Sequence, residues 1–138
     1  EMPVLMSPKK TYYNIIPKGK EDYYEVIIDD ETIPSIVIVL TTVTGDAELA
    51  VYKKHNFSDY GTDIKDSKLV GISMNKDYIP DVIRITPQIL GGKSIVGKYQ
   101  VKVLASSFSS YNLYYYTHFI IFIHLILQTY ENNIFIHQ

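Results

Sequence analysis

From residue 10 to residue 116 the chain is a succession of short runs in which β-branched and aromatic residues alternate with polar ones. Glycine, proline and aspartate cut these runs at regular intervals. A period of two places successive side chains on opposite faces of an extended backbone, and no run keeps the 3.6-residue period that a helix needs. Eight strands are predicted: Lys10 to Ile16, Asp22 to Ile28, Ser35 to Thr42, Glu48 to Lys53, Lys68 to Met74, Asp81 to Pro87, Gly97 to Ala105, and Tyr111 to Tyr116. Pro17-Lys18-Gly19-Lys20, Thr44-Gly45-Asp46 and Gly91-Gly92 supply turns, and Lys54 to Ser67 reads as a long polar loop. In the second strand Tyr24, Val26 and Ile28 share a face. Ser35 to Thr42 is apolar almost throughout, as in a central strand covered on both sides. The expectation is an all-β domain: an eight-stranded antiparallel β-sandwich or jelly roll, followed by an apolar C-terminal extension.

Composition supports strands over helices. Twenty isoleucines and eleven valines stand against three alanines and one arginine, Arg84, whereas helical domains draw on alanine, leucine, glutamate and arginine. A length of 138 residues is one domain. The absence of cysteine excludes a disulfide scaffold, a thiolate zinc site and a cysteine nucleophile. Thirteen basic and fifteen acidic residues give a net charge of -2, which argues against a nucleic-acid partner, since that needs a basic stripe. The first residue is Glu1, and the chain is expected to be a processed or trimmed product from which any signal peptide has been removed.

Three stretches point to a known family. Gly45-Asp-Ala-Glu-Leu-Ala-Val51 resembles the "GDADLYV" strand of bacterial pre-peptidase C-terminal domains. Gly97-Lys-Tyr-Gln-Val-Lys-Val103 with Ser106-Ser-Phe-Ser-Ser-Tyr-Asn-Leu-Tyr114 resembles that family's closing hairpin, "GTYYVRVxxYSGxSGYTLxV". Pro17-Lys-Gly-Lys-Glu-Asp-Tyr-Tyr24 is similar to its "PAGxxDYYxF" segment. Together they span about residues 9 to 116. Alternation predicts Leu49 and Val51, and likewise Tyr99, Val101 and Val103, in the core. The chain departs from the pattern at Ala50, where an aromatic is usual, and at Ser109-Ser110, where a glycine is usual. The resemblance implies a non-catalytic β-sandwich of secreted proteases and other extracellular proteins, some of which bind insoluble substrates or calcium.

The residues themselves offer little catalytic chemistry. The histidines are His55, His118, His124 and His137, and no H-E-x-x-H, G-x-S-x-G or P-loop pattern occurs. The domain is therefore expected not to be an enzyme, with no catalytic residue, no metal ligand and no cofactor. Asp29-Asp30-Glu31 is the densest acidic run and invites calcium, which takes six to eight oxygens. A solvated loop is the favoured reading of it, and Asp46 is already explained by its turn. Asn56-Phe57-Ser58 is the one N-x-S/T sequon and makes Asn56 a glycosylation candidate. Adjacent tyrosines at 12-13, 23-24 and 114-116 send successive rings to opposite faces, so some must be exposed or covered by a partner, carbohydrate included.

The composition shifts after Tyr116. Residues 1 to 116 are read as the sandwich and residues 117 to 138 as a separate apolar segment whose one charged side chain is Glu131. Burying its Phe119, Ile121, Phe122, Ile123, Leu125 and Leu127 with their apolar neighbours is worth on the order of 10 kcal/mol, so water is a poor home for them. An added strand that mediates self-association ranks first. A membrane anchor falls short of the roughly 20 apolar residues that span a bilayer. A translated extension without a role is the third account. The functional expectation is an extracellular or cell-surface adhesion or structural module that self-associates, into a filament if the contact is head-to-tail, or that binds another extracellular protein. The alternatives are a substrate-attachment domain of a secreted protease and a membrane-anchored surface protein.

Overall fold

A computed structural model of the protein describes residues 2–57, 67–76, 78–118 and 129. The described residues form nine strands: β1 (Val4–Leu5), β2 (Tyr12–Ile16), β3 (Glu21–Ile28), β4 (Ser35–Thr44), β5 (Ala47–Lys54), β6 (Ser67–Ser73), β7 (Asp81–Ile85), β8 (Gly97–Ala105) and β9 (Ser109–His118). The eight expected strands are β2 to β9. The ninth, β1, is too short to show any alternation in sequence. It also departs from the expected antiparallel plan, because it pairs parallel with β3, Val4 opposite Tyr24.

The pairing follows from one long ribbon folded on itself. Antiparallel partners run inward from the ends of the ribbon: β2 with β9, β3 with β8, β4 with β7, and β5 with β6. Wrapping the ribbon brings β4 beside β9 and β5 beside β8, which gives two sheets in the orders β2-β9-β4-β7 and β1-β3-β8-β5-β6. Without β1 this is the jelly-roll arrangement, two interlocked Greek keys with alternate faces buried. The inward residues are those that alternation requires. Val26, Ile28, Leu49, Val51, Tyr99, Val101 and Val103 from one sheet meet Ile36, Ile38, Leu40, Ile83, Ile85, Leu113 and Tyr115 from the other in a single core.

The core closes with polar clasps. Across it the Tyr24 and Tyr111 hydroxyls lie 2.6 Å apart, and Tyr111 donates on to Asp22 at 2.5 Å. Asn14 Nδ2 donates to the same Asp22 oxygen at 2.8 Å, so the buried phenols end on an ion rather than on hydrocarbon. Burial and the Asp22 hydrogen bond raise the Tyr111 phenol far above the ordinary tyrosine range. At the N-terminal edge Met6 is buried in the core, its N–H donating to Glu25 O, and Lys9 N donates to Tyr115 O in the opposite sheet. Residues 6–9 thereby strap one open side of the sandwich.

The Gly45 turn, and the departures at Ser109-Ser110 and Ala50 from the resembled motifs, have local explanations. Gly45 has φ of +82°, and a Cβ there would come within 2.2 Å of Phe108 O. The serines opposite replace a glycine turn with hydrogen bonds. Ser109 Oγ accepts from Asp46 N at 2.9 Å and donates to Ser107 O at 2.8 Å, while the Ser110 and Thr44 hydroxyls meet at 2.7 Å beside a shift in register. Ala50 faces outward and leaves a shallow dent bordered by Tyr52, Ile72 and Leu104.

Candidate functional site

The outward side of the β2-β9-β4-β7 sheet is lined by apolar and aromatic side chains, some exposed (Tyr13, Ile15, Val82) and some buried (Val37, Val39). Register decides its membership. On β9, Leu113 and Tyr115 point inward, so Asn112, Tyr114 and Tyr116 point out. On β2, Tyr12 and Ile16 pack inward, which leaves Tyr13 and Ile15 exposed, Tyr13 at 60%. β4 contributes Val37 and Val39 opposite Tyr116 and Tyr114, and β7 contributes Val82 and Arg84. Each tyrosine group thus divides as alternation predicts, one ring into the core and its neighbours out.

Tyr114 and Tyr116 are two residues apart on one strand, and their rings stack with centroids 6.4 Å apart and planes inclined by 22°. They border an open cavity of about 340 Å³ together with Lys9 and Thr11. Lys10, next along, places its ammonium 5.2 Å from the centre of the Tyr12 ring. Val37 is only 2% exposed although it faces away from the sandwich core. The reading of β4 as covered on both faces is therefore correct. Flat aromatic rings with polar edges beside a lysine can stack on an apolar or carbohydrate face and hold it with few hydrogen bonds.

The other sequence candidates lie elsewhere. Asp30 is committed to its own turn: its Oδ1 accepts from Thr32 N at 2.8 Å and Thr32 Oγ1 at 2.6 Å, and these bonds hold its carboxyl below the ordinary range. Among the described residues no three histidine, aspartate or glutamate side chains gather as a metal site. Asp46 lies 3.1 Å from Lys76 in an ion pair. Asn56 is exposed in the bend after β5, while Ser58 of its sequon lies outside the described residues. Phe119, Ile121, Phe122, Ile123, Leu125 and Leu127 also lie outside them. Among the described residues no helix is long and apolar enough to cross a membrane.

Two features escaped the sequence. The Asp22 cluster could not be read, because Asn14, Asp22, Tyr24 and Tyr111 meet only through long-range register. The pairing of Tyr114 with Tyr116 was open to inspection as an i, i+2 repeat, but the stack itself was not.

No protein-family model matches the sequence, and no curated protein matches it. Solved structures do match in fold. The chain is similar to the pre-peptidase C-terminal domain of the collagenase from Bacillus anthracis, with a TM-score of 0.55 at 12% identity, over 83% of this chain and 95% of that one. It is also similar to the Yersinia pseudotuberculosis-derived mitogen, with a TM-score of 0.50 at 13% identity, over 79% of this chain and 85% of that one. The molecule is an all-β sandwich of the jelly-roll kind. More narrowly, its fold is that of a pre-peptidase C-terminal domain, as the motifs at Gly45, Gly97 and Pro17 indicate. A collagenase module and a mitogen on one architecture show that the fold alone does not set the task.

Proposed function

We propose that this is a non-catalytic extracellular module that works by attachment, with the tyrosine face of the β2-β9-β4-β7 sheet as its contact surface. The observation that carries the reading is the pair of outward, stacked rings of Tyr114 and Tyr116 beside exposed Tyr13 and Ile15. The strand that bears the pair, β9, leads in sequence directly into the apolar residues 119 to 127. Self-association is the favoured form of attachment, because the aromatic face and the apolar composition of the segment both suit burial against a like surface. Sizing in solution tests this. The full chain should be larger than a monomer and concentration-dependent, and a chain ending at His118 should be smaller. A full chain that is monomeric at every concentration overturns the assembly.

A second reading has its own support, the likeness in fold to a module of a secreted collagenase. In that reading the face holds an insoluble substrate for a neighbouring catalytic domain. Cosedimentation with fibrous protein or with an insoluble polysaccharide, lost in Tyr114→Ser/Tyr116→Ser, distinguishes it from self-assembly. Glycosylation at Asn56 belongs to the same extracellular proposal, and a native mass equal to the bare polypeptide would remove it.

A further inference from the structure

A second surface lies at the end of the sandwich where β5 stops and β6 and β8 begin. Lys53 and Lys68 are direct cross-strand partners in the β5–β6 ladder, and like charges placed opposite each other destabilise a sheet. The fold adds to the repulsion. Lys93, from the connection between β7 and β8, approaches Lys53. Burial, and then that neighbouring charge, lower the Lys53 ammonium below the ordinary lysine range. With buried Lys54 and with His55, these lysines surround a cavity of about 270 Å³ whose apolar lining is Val70 and Leu90. Lys53 Nζ donates to Ser94 O at 3.2 Å, which fixes one amine at the rim.

The concentration is local, since the chain as a whole carries a net charge of -2. The ion pairs between described residues use Lys76, Lys98 and Lys102, and none involves Lys53, Lys68 or Lys93. A protein that pairs opposite charges on its sheet face but gathers like charges around a cavity breaks a local rule of stability. Such breaks belong to functional sites, and a bound anion would offset this one.

We propose that this cleft binds the oxyanion groups of an acidic polysaccharide, sulfate esters in particular. Lysine sets the class. Ammonium groups are point charges on flexible stems and lack the planar fork with which arginine clasps a single phosphate or carboxylate. Several of them suit oxyanions spaced along a chain, while Val70, Leu90 and the lysine stems meet the apolar faces of the sugar rings. A sulfate ester keeps its charge at every pH at which a protein folds and offers three oxygens to separate donors. Binding by such a cleft is steered by charge and weakens as salt screens it. The proposal does not rest on the tyrosine face.

The test is retention of the full chain on immobilised heparin, eluted by a salt gradient. The probe variant is K68Q/K93Q and the control is K18Q/K20Q. All four lysines are exposed, and the control pair sits in the β2–β3 turn beside Ala105, at the opposite end of β8. The wild type and the control should elute together, and K68Q/K93Q at half their salt concentration or less. K68Q/K93Q should also melt no lower than the wild type, because it relieves repulsion. Polygalacturonate, which carries carboxylates alone, should hold the protein more weakly than heparin. Three results overturn the proposal: no retention of the wild type; equal loss in both double variants; or binding to polygalacturonate or single-stranded DNA as tight as to heparin. None of them bears on sizing in solution, so failure here leaves the assembly reading standing.

Discussion

The two outer faces of the sandwich are built in opposite ways. On the five-stranded sheet, β3 and β8 set opposite charges beside each other. Lys98 meets Glu25 at 3.7 Å, and Lys102 meets Glu21 at 3.9 Å along the same diagonal. The Tyr23 hydroxyl bonds the Glu21 carboxylate, and Lys102 lies 5.6 Å from the centre of the Tyr52 ring. On the four-stranded sheet the corresponding positions carry Val37, Val39, Tyr114, Tyr116, Tyr13 and Ile15. One face spends its polar groups on itself. The other carries aromatic and apolar side chains with few polar groups, which is why the proposed attachment is placed there.

The sharpest way to break this contrast is Val37→Asp. If the outward side of β4 is as dry as its 2% exposure indicates, a carboxylate there lacks both water and a partner. The expected cost is about 3 kcal/mol or more, read as a lower midpoint in urea or thermal unfolding. A cost below about 1 kcal/mol would mean that this face is wet, and the contrast would collapse.

What the sequence could show of this contrast has a physical boundary. Strand positions were legible because alternation is local: Tyr24, Val26 and Ile28, or Tyr99, Val101 and Val103, declare their face within a few residues. The apolar run of β4 even announced a strand buried on both sides. β1 was not legible, because two residues carry no period and its pairing depends on a neighbour some twenty positions away. The lysine cleft was invisible for a related reason. Lys53, Lys68 and Lys93 are scattered in sequence and count as ordinary surface charge until register sets two of them opposite each other. The stretches that resemble pre-peptidase C-terminal domains pointed to the fold but not to the surfaces, since they consist of turn and core residues.

A second test concerns the charged face. Lys98 is buried and its side chain is 6% exposed, against 18% for Glu25. Replacing it by alanine leaves a carboxylate without its cation in a poorly hydrated place and should cost about 2 kcal/mol. Lys98→Met combined with Glu25→Leu should recover most of that loss, because matched apolar groups avoid desolvating two charges. Recovery would mean that the pair selects the register of β3 against β8 more than it stabilises it. A double variant as weak as Lys98→Ala would instead make the charges a net source of stability.

Where the chain passes from one sheet to the other, Asp81 begins β7 buried. Its Oδ1 accepts from Ser73 Oγ and from Asn75 N, each at 2.7 Å. Burial, aided by the charges of Asp46 and Glu48, raises its carboxyl above the ordinary range despite those bonds. A raised acid binds its proton more tightly in the folded state. Its contribution to stability is therefore full below the unfolded value near 3.8 and is lost as pH rises through the folded one. Asp81→Asn keeps an oxygen for both donors and removes the ionisation. The variant should match the wild type at pH 3 and exceed it at pH 7 by about 1 kcal/mol or less, as measured by urea unfolding across that range. A variant less stable at pH 7 would show that the charge itself joins the two sheets.

The smallest effect separates the two ion pairs of the charged face. Lys102 and Glu21 are 21% and 34% exposed and stand 3.9 Å apart, so water and salt screen them in a way that Lys98 and Glu25 escape. Lys102→Gln should change stability by no more than about 0.5 kcal/mol, and that difference should shrink toward zero in high salt. If it costs as much as Lys98→Ala, the stacking of Lys102 on Tyr52 is contributing packing that charge accounting misses, and Lys102→Met would then restore it. If it costs almost nothing, the outer charges of this sheet act chiefly by occupying positions that would otherwise be apolar. Ala50, Ile72 and Leu104 would then be the remaining apolar dent on a face kept from association, and the tyrosine face would differ from it by the absence of that guard.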